Sequence, residues 1–535
     1  MTIKNAGQTH ARLKAHALAP RSASQPTQRS VQLPSDSVEL KGGTPPQPGF
    51  AALTQTDQAV VDASTASLTP PMVAPALFCG EMSVAKEALQ FHSGEAFQVM
   101  DSMLAAKDPV TGLLPLNFET RDGRTVASDH VASGLDSGRT TAGLVMTAEV
   151  AQAVGDTERH NTYIEAAEEN YARSKELLTE GDVFVHLRDF NEDGTVKSTN
   201  VGEPGKSAEG QDNATRVNPR GYAFRGAAEL YRVTGKEQYK DDFNRYFQAW
   251  VSDFHDPVNG GFFLHSNVEK AGDHQERGSF RAPGGADSSY TGEAGVKGND
   301  GTIYALSGVL LAANEVLGTE QTQGLVKEQM DILLDKFHRQ DGMQWENYTA
   351  DFQPISQDWQ NQPRDNGENS HVAIGGHTAM AAQQIIEGAR QLKAQGAIDQ
   401  GQYNTYIDRS VEMFGDFAAN SGAVDWETGA VHNAIRVEEP DAEKRWISAW
   451  GDAPWQQAEL LQSLVRLGQE GRLKDIKGPD DKNGVDLLQA AQDHYRSAYA
   501  LPAENYKFRG FGNPDVYHRP QVAQYFSQVA GGSGR

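Results

Sequence analysis

Glycines that end apolar helical stretches recur through most of this chain. Val154-Gly155-Asp156, Thr234-Gly235-Lys236 and Leu317-Gly318-Thr319 each close a run of helical period at a residue suited to a left-handed C-terminal cap. Further ends at Gly396 and Gly468 continue the series at a spacing of about 80 residues, which is room for two helices and a long connection. Segments of helical period run over 84–106, 139–154, 163–178, 222–234, 239–254, 303–317, 325–337, 373–392, 403–419, 454–467, 485–499 and 520–529. Stretch 303–317 is apolar or small on most of its circumference, whereas 239–254 carries Lys240, Asp241, Asp242 and Arg245. One helix of each pair therefore reads as buried all round and its partner as half exposed. The fold expected is all-α: an (α/α)6 toroid (barrel) of twelve helices, whose inner ring surrounds a cavity of the kind that holds small molecules. An open solenoid binding a protein partner is the alternative. Unequal repeats with long Gly-rich insertions such as 265–300 favour the ring.

Between helices a second signature recurs: Asp108-Pro109-Val110-Thr111-Gly112, Asp256-Pro257-Val258-Asn259-Gly260-Gly261 and Asp425-Trp426-Glu427-Thr428-Gly429. These read as short β-hairpins in rim loops. Residues 1–80 hold 9 of the 23 prolines, are rich in Ser and Thr and show no apolar period. They are expected to form a disordered tail, leaving 81–535 as the barrel domain. The tail lacks the apolar core of a secretory signal, so a cytoplasmic protein, or one exported by a non-classical route through the tail, is expected.

With 48 Lys+Arg against 72 Asp+Glu the chain carries a formal charge of −24, which excludes sheathing of nucleic-acid backbones. No run approaches the roughly 18 apolar residues of a membrane span. The single cysteine, Cys79, excludes an intramolecular disulfide and multi-Cys zinc sites. No Walker loop, GxSxG elbow or HExxH element occurs, and His371 and His377 point to different helix faces, so neither metal nor cofactor is expected. A small-molecule sugar is the expected partner; the oligomeric state is open.

Four segments resemble the N-acylglucosamine 2-epimerase and cellobiose 2-epimerase family over roughly residues 84–530. Gly376-His377-Thr378-Ala379-Met380 is similar to that family's Gly-His element on an inner helix, and Trp455-Gln456-Gln457-Ala458-Glu459 to its tryptophan-containing helix start. Tyr517-His518 resembles its C-terminal Tyr-His, and Asp256 to Phe263 its Asp-Pro-x-x-Gly-Gly-Phe-Phe loops. The resemblance implies an (α/α)6 barrel that epimerises or isomerises sugars by abstracting the C2 proton through an enediolate.

Two bases on opposite faces of the sugar suit that chemistry, and histidine accepts and donates protons near neutrality. His377 and His518 are the candidates. The first also reads as a satisfied core histidine on an apolar helix; the second, two residues before Pro520, also reads as packing at a helix start. Arg139 is the candidate for stabilising the enediolate, with a structural ion pair as its other reading. Arg225, between Phe224 and Gly226, needs a partner or a polar cavity. Asp300 and Tyr304 share a helical face where relatives carry Asn and His, and they read either as sugar ligands or as a cap and a core tyrosine. Trp450 and Trp455 bracket a rim loop, with Trp345 and Trp359 as further rim candidates, and Glu459 is a possible ligand contact one turn into its helix. The family's glutamate three residues after the histidine is Met380 here, so a carboxylate supporting His377 is missing or comes from elsewhere. Glycoside hydrolase or polysaccharide lyase chemistry on the same toroid, using a carboxylate pair or a His or Tyr base, is the rival reading. A non-catalytic carbohydrate-binding toroid is the third.

Overall fold

The computed structural model describes residues 81–115, 118–121, 124–127, 129–185, 187–199, 217–264, 296–354, 372–432, 434–436, 454–499 and 515–531. The tail 1–80, most of the 265–300 insertion, His371, Trp359 and Trp450 lie outside the described residues.

Helices alternate between an outer and an inner ring. They are α1 (Glu81–Ala105), α2 (Gly134–Ala153), α3 (Thr157–Leu178), α4 (Val217–Thr234) and α5 (Glu237–Phe254). Next come α6, which runs from Asn299–Tyr304 through a π-helical Ala305–Leu310 into Leu311–Leu317, and α7, Glu320–Ile332 with a π-helical end Leu333–Phe337. The series closes with α8 (Gly375–Ala394), α9 (Gln400–Asn420), α10 (Pro454–Gln469), α11 (Gly484–Tyr499) and α12 (Asp515–Gly531). Each even-numbered helix packs against the next, and α12 returns to pack on α2, closing an (α/α)6 toroid.

The two rings differ as their sequences require. Helix α2 is buried on nearly every side, from Ser137 through Ala148, whereas α5 buries one stripe, Tyr239, Phe243, Tyr246, Phe247, Trp250 and Phe254. Each of those large side chains contributes roughly 1.5–3 kcal/mol on leaving water. Inner-to-outer turns are short and close on Gly155, Gly235, Gly318 and Gly396, at φ of 83°, 64°, 57° and 72°. The fifth turn corrects the sequence reading: Gly468 lies inside α10, and Gly471, at φ 71°, takes the left-handed position.

Outer-to-inner connections are long and occupy the opposite face. The three Asp loops share one construction, and antiparallel bridges His255–Phe262 and Val424–Val431 close the second and third as minimal hairpins. In each, the aspartate N–H donates to the carbonyl five residues on (Leu113, Gly261 or Ala430), at 2.9 Å. Its side chain accepts from the backbone N–H two residues on, at 2.8–3.0 Å. Regular strands lie elsewhere and tie neighbouring connections together. Val131–Ser133 pairs with Leu187–Phe190, Val296–Gly298 with Asn347–Thr349, and Val372–Ile374 with Ala434–Arg436. Each first-named strand runs directly into an inner helix, α2, α6 or α8. Residues 373–374 are thus strand, not the helix their apolar character implied.

Several inner helices begin well before their apolar period does: α2 at Gly134 rather than 139, α4 at Val217 rather than 222 and α12 at Asp515 rather than 520. Pro520 therefore sits inside α12 instead of in its first turn. It has no N–H to offer the Val516 carbonyl. Helix α2 crosses there at Gly143, where a Cβ would stand 1.8 Å from the Val516 oxygen. Only glycine permits that crossing.

Candidate active site

All six inner helices bring a side chain from their first six residues to the axis of the barrel: Arg139 from α2, Tyr222 from α4, Tyr304 from α6, His377 from α8, Trp455 from α10, and Tyr517 with His518 from α12. Their contacts close a ring. The Arg139 guanidinium lies 4.4 Å from the centre of the Tyr222 ring, with Tyr517 and Tyr304 at 5.8 and 5.9 Å. Tyr304 meets His377 edge-on at 5.3 Å, His377 meets Trp455 at 5.4 Å, and Trp455 meets His518 at 6.2 Å. Tyr517 stands edge-on to His518 at 5.2 Å and to Tyr222 at 5.5 Å. Trp455 thus lies between the two imidazoles.

A local rule positions these groups. Gly138, Gly221 and Gly376 immediately precede Arg139, Tyr222 and His377. A Cβ on them would meet Tyr222 O at 2.0 Å, Val309 Cγ2 at 2.5 Å and Gln456 Cγ at 2.6 Å, each on the next inner helix. The glycine lets the neighbouring helix approach, and the residue after it, rotated about 100° around the helix, faces the axis.

Each histidine stands against a carboxylate. His377 Nδ1 lies 3.1 and 3.0 Å from the two carboxylate oxygens of Glu346, and both side chains are buried. His518 Nδ1 lies 3.0 Å from Glu459 Oε1, off the line of a hydrogen bond, while Gln383 Nε2 donates to the other Glu459 oxygen. Glu459 therefore faces His518.

Arg139 is 8% exposed, and among the described residues its Nε has no hydrogen-bond partner. Burial opposes its charge, but Tyr222, Tyr304, Asp136 and Tyr517 more than offset this, so its pKa lies above the ordinary arginine value. Burial drives the Tyr517 phenol well above the usual tyrosine range, which keeps it a neutral hydroxyl. The N-terminal ends of six helices point their partial positive charges at the same space. The arrangement suits a ligand on which negative charge develops.

The structure brings together Arg139, Tyr304, His377, Trp455, His518 and Glu459 of the residues the sequence singled out. Arg225 is different. Its Nε and Nη2 bond Glu229 Oε1 at 3.3 and 3.1 Å, its Nη1 donates to Ser307 O in the π-helical part of α6, and its guanidinium lies 5.5 Å from the centre of the Tyr517 ring, behind the ring of axial side chains. Asp300 lies in α6, but its side chain is outside the described residues, as is all of Trp450. Trp345 has the Arg339 guanidinium over its ring at 4.0 Å. Sequence reasoning missed Tyr222 and Glu346. The Gly-x pair shared by Gly138-Arg139, Gly221-Tyr222 and Gly376-His377 would have marked the first; nothing local marks the second. Among the described residues no group of three or more His, Cys, Asp or Glu side chains is placed to hold a metal ion, and no helix is long and apolar enough to cross a membrane.

No protein-family model and no curated protein matches the sequence. The fold does have solved counterparts. A cellobiose 2-epimerase from Spirochaeta thermophila superposes with a TM-score of 0.57 at 13% identity, over 85% of this chain and 99% of that one. A cellobiose 2-epimerase from Bacillus thermoamylovorans does so with 0.57 at 12%, over 82% and 99%. A D-mannose isomerase gives 0.55 at 15%, over 85% and 99%. The chain is similar to these in fold: it has the (α/α)6 architecture on which those proteins are built.

Proposed function

We propose that the protein is a sugar epimerase or aldose–ketose isomerase that works by C2 proton abstraction. The observation that carries this reading is the pair of buried imidazoles on either side of Trp455, facing an arginine caged by tyrosines. In the open-chain aldose, one histidine takes the C2 proton, and the C–H electron pair moves into the C1 carbonyl to give an enediolate. Arg139 donates to the developing oxyanion, where a fixed cation in a water-poor site acts most strongly. The second histidine returns a proton to the other face of C2 in an epimerase; in an isomerase the proton goes to C1 while the O2 hydroxyl proton passes to O1, leaving the carbonyl at C2. The Trp455 indole offers a flat face for the sugar, and His377 and His518 exchange acid and base roles between directions. That fold neighbours are named cellobiose 2-epimerase and D-mannose isomerase supports the sugar class. Among the described residues, Glu346 and Glu459 beside the ring each stand against a histidine, which supports this reading.

The test is proton NMR of mannose, glucose, N-acetylmannosamine and cellobiose in D2O with the protein. Deuterium should enter at C2, and His377→Ala or His518→Ala should each slow it by roughly 10²–10⁴-fold. Folded protein that exchanges none of these sugars would turn the reading toward the lyase, hydrolase or binding alternatives.

A further inference from the structure

Helix α8 offers His377 no carboxylate of its own: three residues on stands Met380, 2% exposed and packed in the core, and Glu387 is ion-paired with Arg466 at 3.0 Å. Glu346 reaches the imidazole from another element, the connection after α7. Two backbone ties hold it there. Its carbonyl accepts the Asn299 N–H, the first of α6, at 3.0 Å, and its Oε1 accepts the Ile374 N–H, at the start of α8, at 3.3 Å. Its side chain is 6% exposed and the His377 side chain 7%. A carboxylate fixed in this way and set 3.0 Å from Nδ1 can only accept, so it selects the ring tautomer that carries its proton on Nδ1.

We infer that Glu346 is a positioning residue for His377: it locks the Nδ1–H tautomer and thereby presents Nε2, with its lone pair, as the base. The inference rests on the proton-transfer reading above for its consequence, not for its geometry. Among the described residues, the other titratable or charged groups around His377 are Tyr304 on α6 and, beyond Trp455, Glu459 on α10 and His518 on α12, with Arg139 on α2 beyond Tyr304.

The experiment uses the full chain labelled with ¹⁵N at histidine, with His377 assigned from the spectrum of His377→Gln. In the unsubstituted protein His377 should show the Nδ1–H tautomer. Glu346→Gln should give a mixed tautomer and move the His377 titration to lower pH. In the exchange assay kcat should fall about ten- to a hundredfold with KM unchanged, and the acid limb of the kcat profile should move down by the same pKa interval. Glu346→Asp, which keeps the charge, should retain the tautomer and recover part of kcat. An unchanged tautomer and pKa in Glu346→Gln overturns the inference, whatever the activity does. Should that variant fail to fold, an Nε2–H tautomer in the unsubstituted protein overturns it equally. The expected NMR result in a protein that exchanges no sugar would leave the positioning role standing and remove the epimerase reading.

Discussion

The two ends of the barrel are built from the same twelve helices and do opposite work. At the end where inner helices finish, the turns are short and the arginines have carboxylates. Arg232 contacts Glu149 and Glu229, Arg390 contacts Glu470, and Arg466 contacts Glu387. Where the inner helices begin, the connections are long and laced with short strands, and Arg139 has tyrosine faces in place of a carboxylate. The difference separates a charge committed to the fold from one that keeps its donors. A paired guanidinium has spent its hydrogen bonds on the fold, whereas one held by aromatic rings keeps donors for a ligand.

The largest effect expected tests whether the open end is as firmly built as the closed one. Lys297, with 0% of its side chain exposed, bonds Asp256 Oδ2 at 2.8 Å and Ala350 O at 2.7 Å, pinning the 256–261 loop to the strand that leads into α6. Asp256→Asn leaves that ammonium buried without its counter-ion and should lower stability by about 3–5 kcal/mol in urea unfolding. Burial raises the Asp256 pKa, but bonds from Lys297, Val258 N–H and Asn259 outweigh it and bring it down to about 2, from an ordinary 3.8. Because the folded pKa is depressed, this carboxylate's contribution is complete above the ordinary value and is lost as pH falls through about 2. The variant should therefore show a flatter acid limb over that window.

Next is a swap of consequences between the two ends. Arg139→Met should cut kcat for C2 exchange by about 10²–10³-fold with little change in melting temperature. Arg232→Met should leave exchange unchanged and cost roughly 1–3 kcal/mol of stability, because Glu149 and Glu229 each lose one of their charged partners. If both variants lost activity without losing stability, the division of labour would be wrong. The smallest effect concerns the turns. Gly155→Ala places a Cβ at φ 83° in open space, so it should cost about 1–2 kcal/mol from backbone strain alone and leave kcat unaltered.

Much of this was legible in the sequence. Alternating buried and amphipathic helices, closed by glycines about 80 residues apart, determine a paired-helix repeat, because apolar period and left-handed caps are local properties. The Gly-His pair, Trp455 and Tyr517-His518 were readable as candidate site residues. Legibility failed at the starts of several inner helices, where glycines and polar or aromatic residues replace the apolar period because these turns face the barrel axis and a closely packed neighbour. Hence α2, α4 and α12 begin earlier than their hydrophobicity does, and Pro520 falls within a helix.

The sequence by itself determined the ring of helices and most of the side chains that point into it. Tertiary structure alone decided which charges are partnered. Arg225 proves to be tied to Glu229 and Ser307 O, Arg139 is left among tyrosines, and His377 receives its carboxylate from Glu346, 31 residues earlier in the chain. Such pairings join elements whose separation along the chain carries no periodic signal. They exist only because closing the barrel brings the helix starts and their preceding strands together.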